Sequence, residues 1–69
     1  MDIFLFTTNI QTSDLERLRA LLEDASGIEK WTIDLDDNDH VLRIVCRGID
    51  SDVLRDKLND MGFDCQYMI

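Results

Sequence analysis

Residues able to do chemistry are few in this chain, and they are scattered. The richest stretch is DLDDNDH (34–40), four aspartates and an asparagine leading to His40, the only histidine. Asp34, Asp36 and Asn38 have the D-x-D-x-N spacing that opens a calcium loop, where alternate oxygens wrap a hard cation. Such a loop needs glycine at its sixth place and a bidentate glutamate at its twelfth; Asp39 and Val45 stand there instead. The stretch therefore reads as a solvated turn, with His40 opening the following strand as a surface residue. Cys46 and Cys65 are the other reactive candidates. They lie nineteen positions apart with no second pair, which is neither a zinc spacing nor a disulfide framework. Two reduced thiols fit a reducing, cytoplasmic compartment. No nucleophile–base–orienter set, phosphate loop or carboxylate dyad appears, so neither catalysis nor a cofactor is expected.

The bulk properties narrow the field further. A chain of 69 residues is one domain, with a thin core. Hydrophobic residues make up 45%, and proline and low-complexity runs are absent, which argues for a folded module. Fifteen acids against seven bases give a net charge of −8. That balance cannot easily supply the basic face that nucleic acid demands. It also disfavours anionic membranes and favours basic partners. No apolar run approaches a membrane span, and no secretory h-region follows Met1.

Six elements must position whatever site exists. DIFLFTT (2–8) is strand-like, and SDLERLRALLEDAS (13–26) sets Leu15, Leu18, Leu22 and Ala25 on one helical stripe. Ser13 with Glu16 has the spacing of a capping box, and Gly27 suits a left-handed helix end. WTIDL (31–35) alternates strictly, with Trp31, Ile33 and Leu35 on one side, and VLRIVC (41–46) is the second strand of the same hairpin across the turn DDND (36–39). A second helix is expected over 51–61, capped by Asp50, with Leu54, Leu58 and Met61 buried and Gly62 ending it. FDCQYMI (63–69) closes as a strand. The order βαββαβ at this length predicts an α+β, ferredoxin-like sandwich: a four-stranded antiparallel sheet in order 4-1-3-2, with both helices on one face. In that order Cys46 and Cys65 share the buried face but sit two strand spacings of ~4.8 Å apart, too far for a disulfide.

Two stretches in one frame carry a family likeness. SGIEKWTIDL (26–35) is similar to P-G-V-x-x-V-x-V-x-L, and DSDVLRDKLNDMGFDCQ (50–66) to D-P-x-x-L-x-x-x-I-x-x-x-G-[YF]-x-A-x, with Asp50, Leu54, Leu58, Gly62 and Phe63 in place. Over nearly its whole length the chain thus resembles the heavy-metal-associated domain of copper chaperones and metal-transporting P-type ATPases. That resemblance implies an M-x-C-x-x-C loop whose thiolates hold Cu(I) or Zn(II), soft ligands for soft ions. Counting back from Gly27 without gaps puts the methionine at Asn9 and the cysteines at Gln11 and Asp14, and none of the three matches. Among the family's residues near the metal loop only the aromatic Phe63 is kept, and packing is its expected role. Gln11 and Asp14 offer hard oxygens and Met61 a thioether, a mixed set too small for calcium. Asp14 in a first helical turn, beside Thr12 or Ser13 as cap, is what the helix dipole prefers.

Alternation leaves a second surface. Phe4 and Phe6 turn to the helices, so Ile3 and Leu5 face the other way, beside Val41, Arg43 and Val45 on the third strand and Met68 on the fourth. Such a contiguous apolar patch suits docking onto another protein or a second copy, as a homodimer. The expected function is a non-catalytic accessory or protein-interaction module that has lost thiolate metal binding. The alternative is a heavy-metal carrier, copper-chaperone-like, using non-cysteine ligands.

Overall fold

The computed structural model describes residues 1–68. Its elements follow the order β1 (Asp2–Thr7), α1 (Leu15–Asp24), β2 (Ile28–Asp34), β3 (Val41–Cys46), α2 (Ser51–Asp60) and β4 (Gln66–Tyr67), with a 3-10 turn at Thr12–Asp14 before α1. The strands form one antiparallel sheet, β2-β3-β1-β4, which from its other edge is 4-1-3-2. The fold is the ferredoxin-like α+β sandwich. No helix among the described residues is long and apolar enough to cross a membrane.

One face of the sheet is sealed by the helices. Phe6 from β1 and Leu42, Ile44 and Cys46 from β3 meet Leu18 and Leu22 of α1, Leu54 and Leu58 of α2, and Phe63 and Cys65 beyond it. Register explains the parity: Phe4 pairs with Ile44 and Phe6 with Leu42, so these side chains share a face. Trp31 and Ile33 of β2 pack against the same cluster.

Helix ends show where local chemistry governs the chain. Asp50 caps α2 as expected, its carboxylate accepting the Asp52 N–H at 2.8 Å. At the far end Gly62 takes φ 93° while Phe63 N–H donates to the Leu58 carbonyl at 3.2 Å. Gly27, between α1 and β2, has φ 96°, and a Cβ there would meet the Arg47 carbonyl at 2.7 Å. Only glycine lets β2 approach the end of β3 so closely.

Four expectations are corrected. Ser13 and Glu16 do not cap α1; the chain enters the helix earlier, with Gln11 N–H donating to the Asp14 carboxylate at 2.9 Å and Asp14 N–H to the Gln11 carbonyl at 2.9 Å. The spacing i to i+3 is that of the expected box, displaced by two residues onto the 3-10 turn. His40 does not open β3 as a surface strand residue; it is half-buried, with φ 44°. The closing strand pairs only at Gln66 and Tyr67, because the preceding N–H groups are taken: Asp64 donates to the Asn9 side-chain carbonyl at 2.8 Å and Cys65 to that of Asn59 at 3.0 Å. Ile69, placed in that strand from sequence, lies outside the described residues. Finally, Val45 is on the open face yet only 9% exposed, with Ile3 and Lys30 as its cross-strand neighbours beside a bulge at Ile28/Lys30.

Candidate functional site

Two places could carry function, the β1–α1 loop and the helix-free face of the sheet. The loop is tied to its surroundings at every step. Thr8 N–H donates to the Asp39 carbonyl at 2.9 Å, and its hydroxyl donates to the His40 carbonyl at 2.6 Å. Ile10 is fully buried in the core, its N–H donating to Thr8 Oγ1 at 3.2 Å and its carbonyl contacting His40 Nδ1. With the left-handed backbone at His40, the imidazole turns back onto the loop rather than out along β3. The Asp64 N–H on Asn9 ties in the α2–β4 segment. Arg17, in the first turn of α1, donates to the Met61 carbonyl at 3.1 Å and lies 5.0 Å above the Phe63 ring.

This loop contains Gln11 and Asp14, the positions that the resemblance assigns to thiolates. The Asp14 carboxylate accepts from the Gln11 backbone N–H and lies 3.9 Å from Arg17. A hard carboxylate already engaged by an N–H and a guanidinium does not fit a soft ion. Met61 caps α2 with a backbone role. Among the described residues no three His, Cys, Asp or Glu side chains converge as a metal set. Sequence reading missed Ile10, a single apolar residue in a polar loop with no period to mark it. Thr8 and Asn9 were equally silent, since their partners lie far along the chain.

Both cysteines are free and buried. Burial pushes the Cys46 thiol up, and Asp2 adds to the effect. Burial and the neighbouring Asp64 push Cys65 to about 11. Thiols held protonated in this way are poor nucleophiles and poor metal ligands.

The open face collects the residues that alternation assigns to it. Ile3 lies opposite Val45 and Leu5 opposite Arg43, while Met68 N–H donates to the Leu5 carbonyl at 2.7 Å and so joins the same level. Ile3 is 50% exposed and Met68 49%, with Leu5, Val41 and Arg43 half-buried. β2 adds Lys30, Thr32 and Asp34, paired with Val45, Arg43 and Val41. A shallow groove of about 450 Å³ runs across this face, lined by Leu5, Thr32, Asp34, Val41 and Arg43, with Asp37 at one end.

No family model and no curated protein matches the chain. Its functional reading rests on these two places alone.

Proposed function

We propose that this chain is a small, non-catalytic domain of the heavy-metal-associated type that has lost thiolate metal binding and acts as an accessory or protein-interaction module. The observation that carries the reading is the open sheet face, where Ile3, Leu5, Val41 and Met68 form one apolar surface uncovered by helices. Scattered apolar residues need no explanation, but a contiguous patch on central strands favours a partner. The loop supports the same reading: Ile10 fills the core where the resemblance would place a metal loop, and Asp14 is spent on Gln11 and Arg17. A reducing, cytoplasmic setting accords with two free buried thiols.

The competing reading, a metal carrier with non-cysteine ligands, requires Asp14 to leave Gln11 and turn to an ion. A photoreactive residue in place of Leu5, compared with one in place of the exposed helix residue Val53, tests the interaction surface in cells that make the protein. Adducts from position 5 and few from position 53 are expected. Equal labelling from both, or labelling from position 53 alone, overturns the assignment of the sheet face.

A further inference from the structure

The two edges of the sheet differ. β4 pairs over Gln66 and Tyr67 alone, while β2 presents Ile28–Asp34, seven residues bonded to β3 on one side only. The direction of its backbone groups follows from the register. Met68 N–H donates to the Leu5 carbonyl, so Leu5 turns its N–H and C=O to β4, and Phe4 and Phe6 turn theirs to β3. Their partners Ile44 and Leu42 point back to β1, which leaves Val41, Arg43 and Val45 pointing to β2, at Asp34, Thr32 and Lys30. Trp31 and Ile33 therefore direct their N–H and C=O away from the sheet. Among the described residues no backbone bond reaches them from that side. Their side chains, on the helix face, pack against the core yet stay half-buried. A free strand of this length, with apolar side chains at its rim, is a template for another strand.

The strand's own sequence fits it as that partner. Outward from Thr32, KWTID is complementary to itself in the antiparallel sense. Lys30 and Asp34 stand at equal distances on the open face, and Trp31 and Ile33 at equal distances on the helix face. A two-fold axis beside Thr32, perpendicular to the sheet, sets Trp31 of each copy opposite Ile33 of the other. Both residues carry outward N–H and C=O groups, so each pair exchanges two backbone bonds, about four in all. Lys30 of each copy then lies opposite Asp34 of the other, at positions without backbone bonds, where Cα atoms are only ~4.5 Å apart and side chains are closest. A slip of one residue sets outward groups against inward ones. A slip of two sets Asp34 against Ile28 or Thr32, so only this register matches both backbone and charge. The bulge at Ile28/Lys30 lies at the start of the stretch and leaves Lys30–Asp34 in regular register with β3. One Asp34 oxygen accepts the Asp36 N–H at 3.1 Å, and the carboxylate keeps a second oxygen for lysine.

We infer that β2 pairs antiparallel with β2 of a second copy about Thr32, joining the two sheets edge to edge into one. The pairing goes beyond the open-face reading and does not rest on it. Ile3, Leu5 and Met68 stay uncovered on the same side of both copies, so what the open face binds is decided separately. Contact runs along a single strand of each copy, which places the association among weak, small interfaces. The dimer is expected to form between about 10 micromolar and 1 millimolar.

Sedimentation over that range, with amide hydrogen exchange read by NMR at its two ends, tests the pairing. Wild type is expected to shift from monomer toward dimer, and the Trp31 and Ile33 amides to exchange more slowly as it does. Lys30→Asp places two like pairs across the contact, as does Asp34→Lys, and each variant alone should dimerise at least about four-fold more weakly. Asp34→Lys removes one acid and adds one base, taking the net charge from −8 to −6, which by itself would favour association. Weakening in that variant therefore reports the local pair. An equal mixture of the two variants restores both opposite-charge pairs and should regain dimer, as should one chain carrying both changes. Circular dichroism confirms that each variant is folded. Three results would each overturn the inference: wild type monomeric at about 1 millimolar, a dimer whose Trp31 and Ile33 amides exchange as fast as in the monomer, or a dimer that Asp34→Lys leaves unweakened. Adducts from position 5 to another protein would uphold the open-face reading in every one of these cases, so the two failures are distinct.

Discussion

Replacing Ile10 with alanine tests whether the β1–α1 loop belongs to the core. Ile10 is fully buried, and the change removes three carbons from that site. At ~0.8 kcal/mol for each buried methylene-sized group, the transfer loss alone is roughly 2.4 kcal/mol. A cavity adds to this wherever the surroundings cannot collapse, and isoleucine-to-alanine losses run to ~5 kcal/mol. Collapse is hindered here, because Thr8 and His40 fix the loop on one side and Asp64 holds Asn9 on the other. The expected loss is therefore about 3–5 kcal/mol. A domain of this length has only ~3–10 kcal/mol in hand, so the variant should be close to unfolding at room temperature. Urea titration followed by the fluorescence of Trp31, the only tryptophan, reads the change directly. Gln11→Ala, at an exposed neighbour that keeps its backbone N–H, should cost less than about 0.5 kcal/mol. A loss below about 1 kcal/mol for Ile10→Ala would refute the anchored loop, because a residue that cheap to truncate is not packed.

The remaining predictions concern strain, thiol ionisation and the sheet. Gly27→Ala combines a left-handed backbone with a Cβ at 2.7 Å from the Arg47 carbonyl, and should lower stability by about 2–4 kcal/mol in the same urea assay. Cys65 is raised from 9.0 to about 11 in the folded chain, so its contribution is fully present below pH 9 and is lost as pH climbs through 11. That loss is on the order of 2–3 kcal/mol, and stability against pH should fall more gently in Cys65→Ala than in wild type. Leu5→Lys, a charge placed at the centre of the open face, should lower the yield of adducts from a photoreactive residue at position 3, whereas Val53→Lys on α2 should not.

Much of the architecture was legible because local signals agreed. The leucine stripe of each helix, the Asp50 cap, Gly27 and Gly62 at positive φ, and the strict alternation from Trp31 to Asp34 in β2 all point to one topology. What escaped was set by contacts distant in sequence. Ile10 gains its place from a core assembled by five other segments, and His40 turns inward because Thr8, thirty-two residues earlier, binds its carbonyl. β4 shortens because Asn9 and Asn59 intercept N–H groups that alternation alone would give to β1. Val45 shows the limit of parity: its face was foreseeable, while its burial beside Lys30 depends on a bulge in the partner strand. Of the candidate sites, the open face followed from strand parity, but the place of Lys30, Thr32 and Asp34 beside it needed the register of β2 on β3.

A Cu(I) competition titration of the reduced wild-type protein tests most directly the proposal that the domain binds no soft metal ion. The account predicts no binding tighter than roughly micromolar, since the β1–α1 loop holds no thiolate and its Asp14 carboxylate is already held by the Gln11 N–H. Gln11→Cys with Asp14→Cys in one chain serves as the positive control. Positions joined by a backbone-to-carboxylate bond of 2.9 Å are close enough for two sulfurs to share an ion, and the double variant should bind far more tightly than either single one. Stoichiometric binding by the wild-type monomer at nanomolar free Cu(I) would contradict the account and restore the metal-carrier reading.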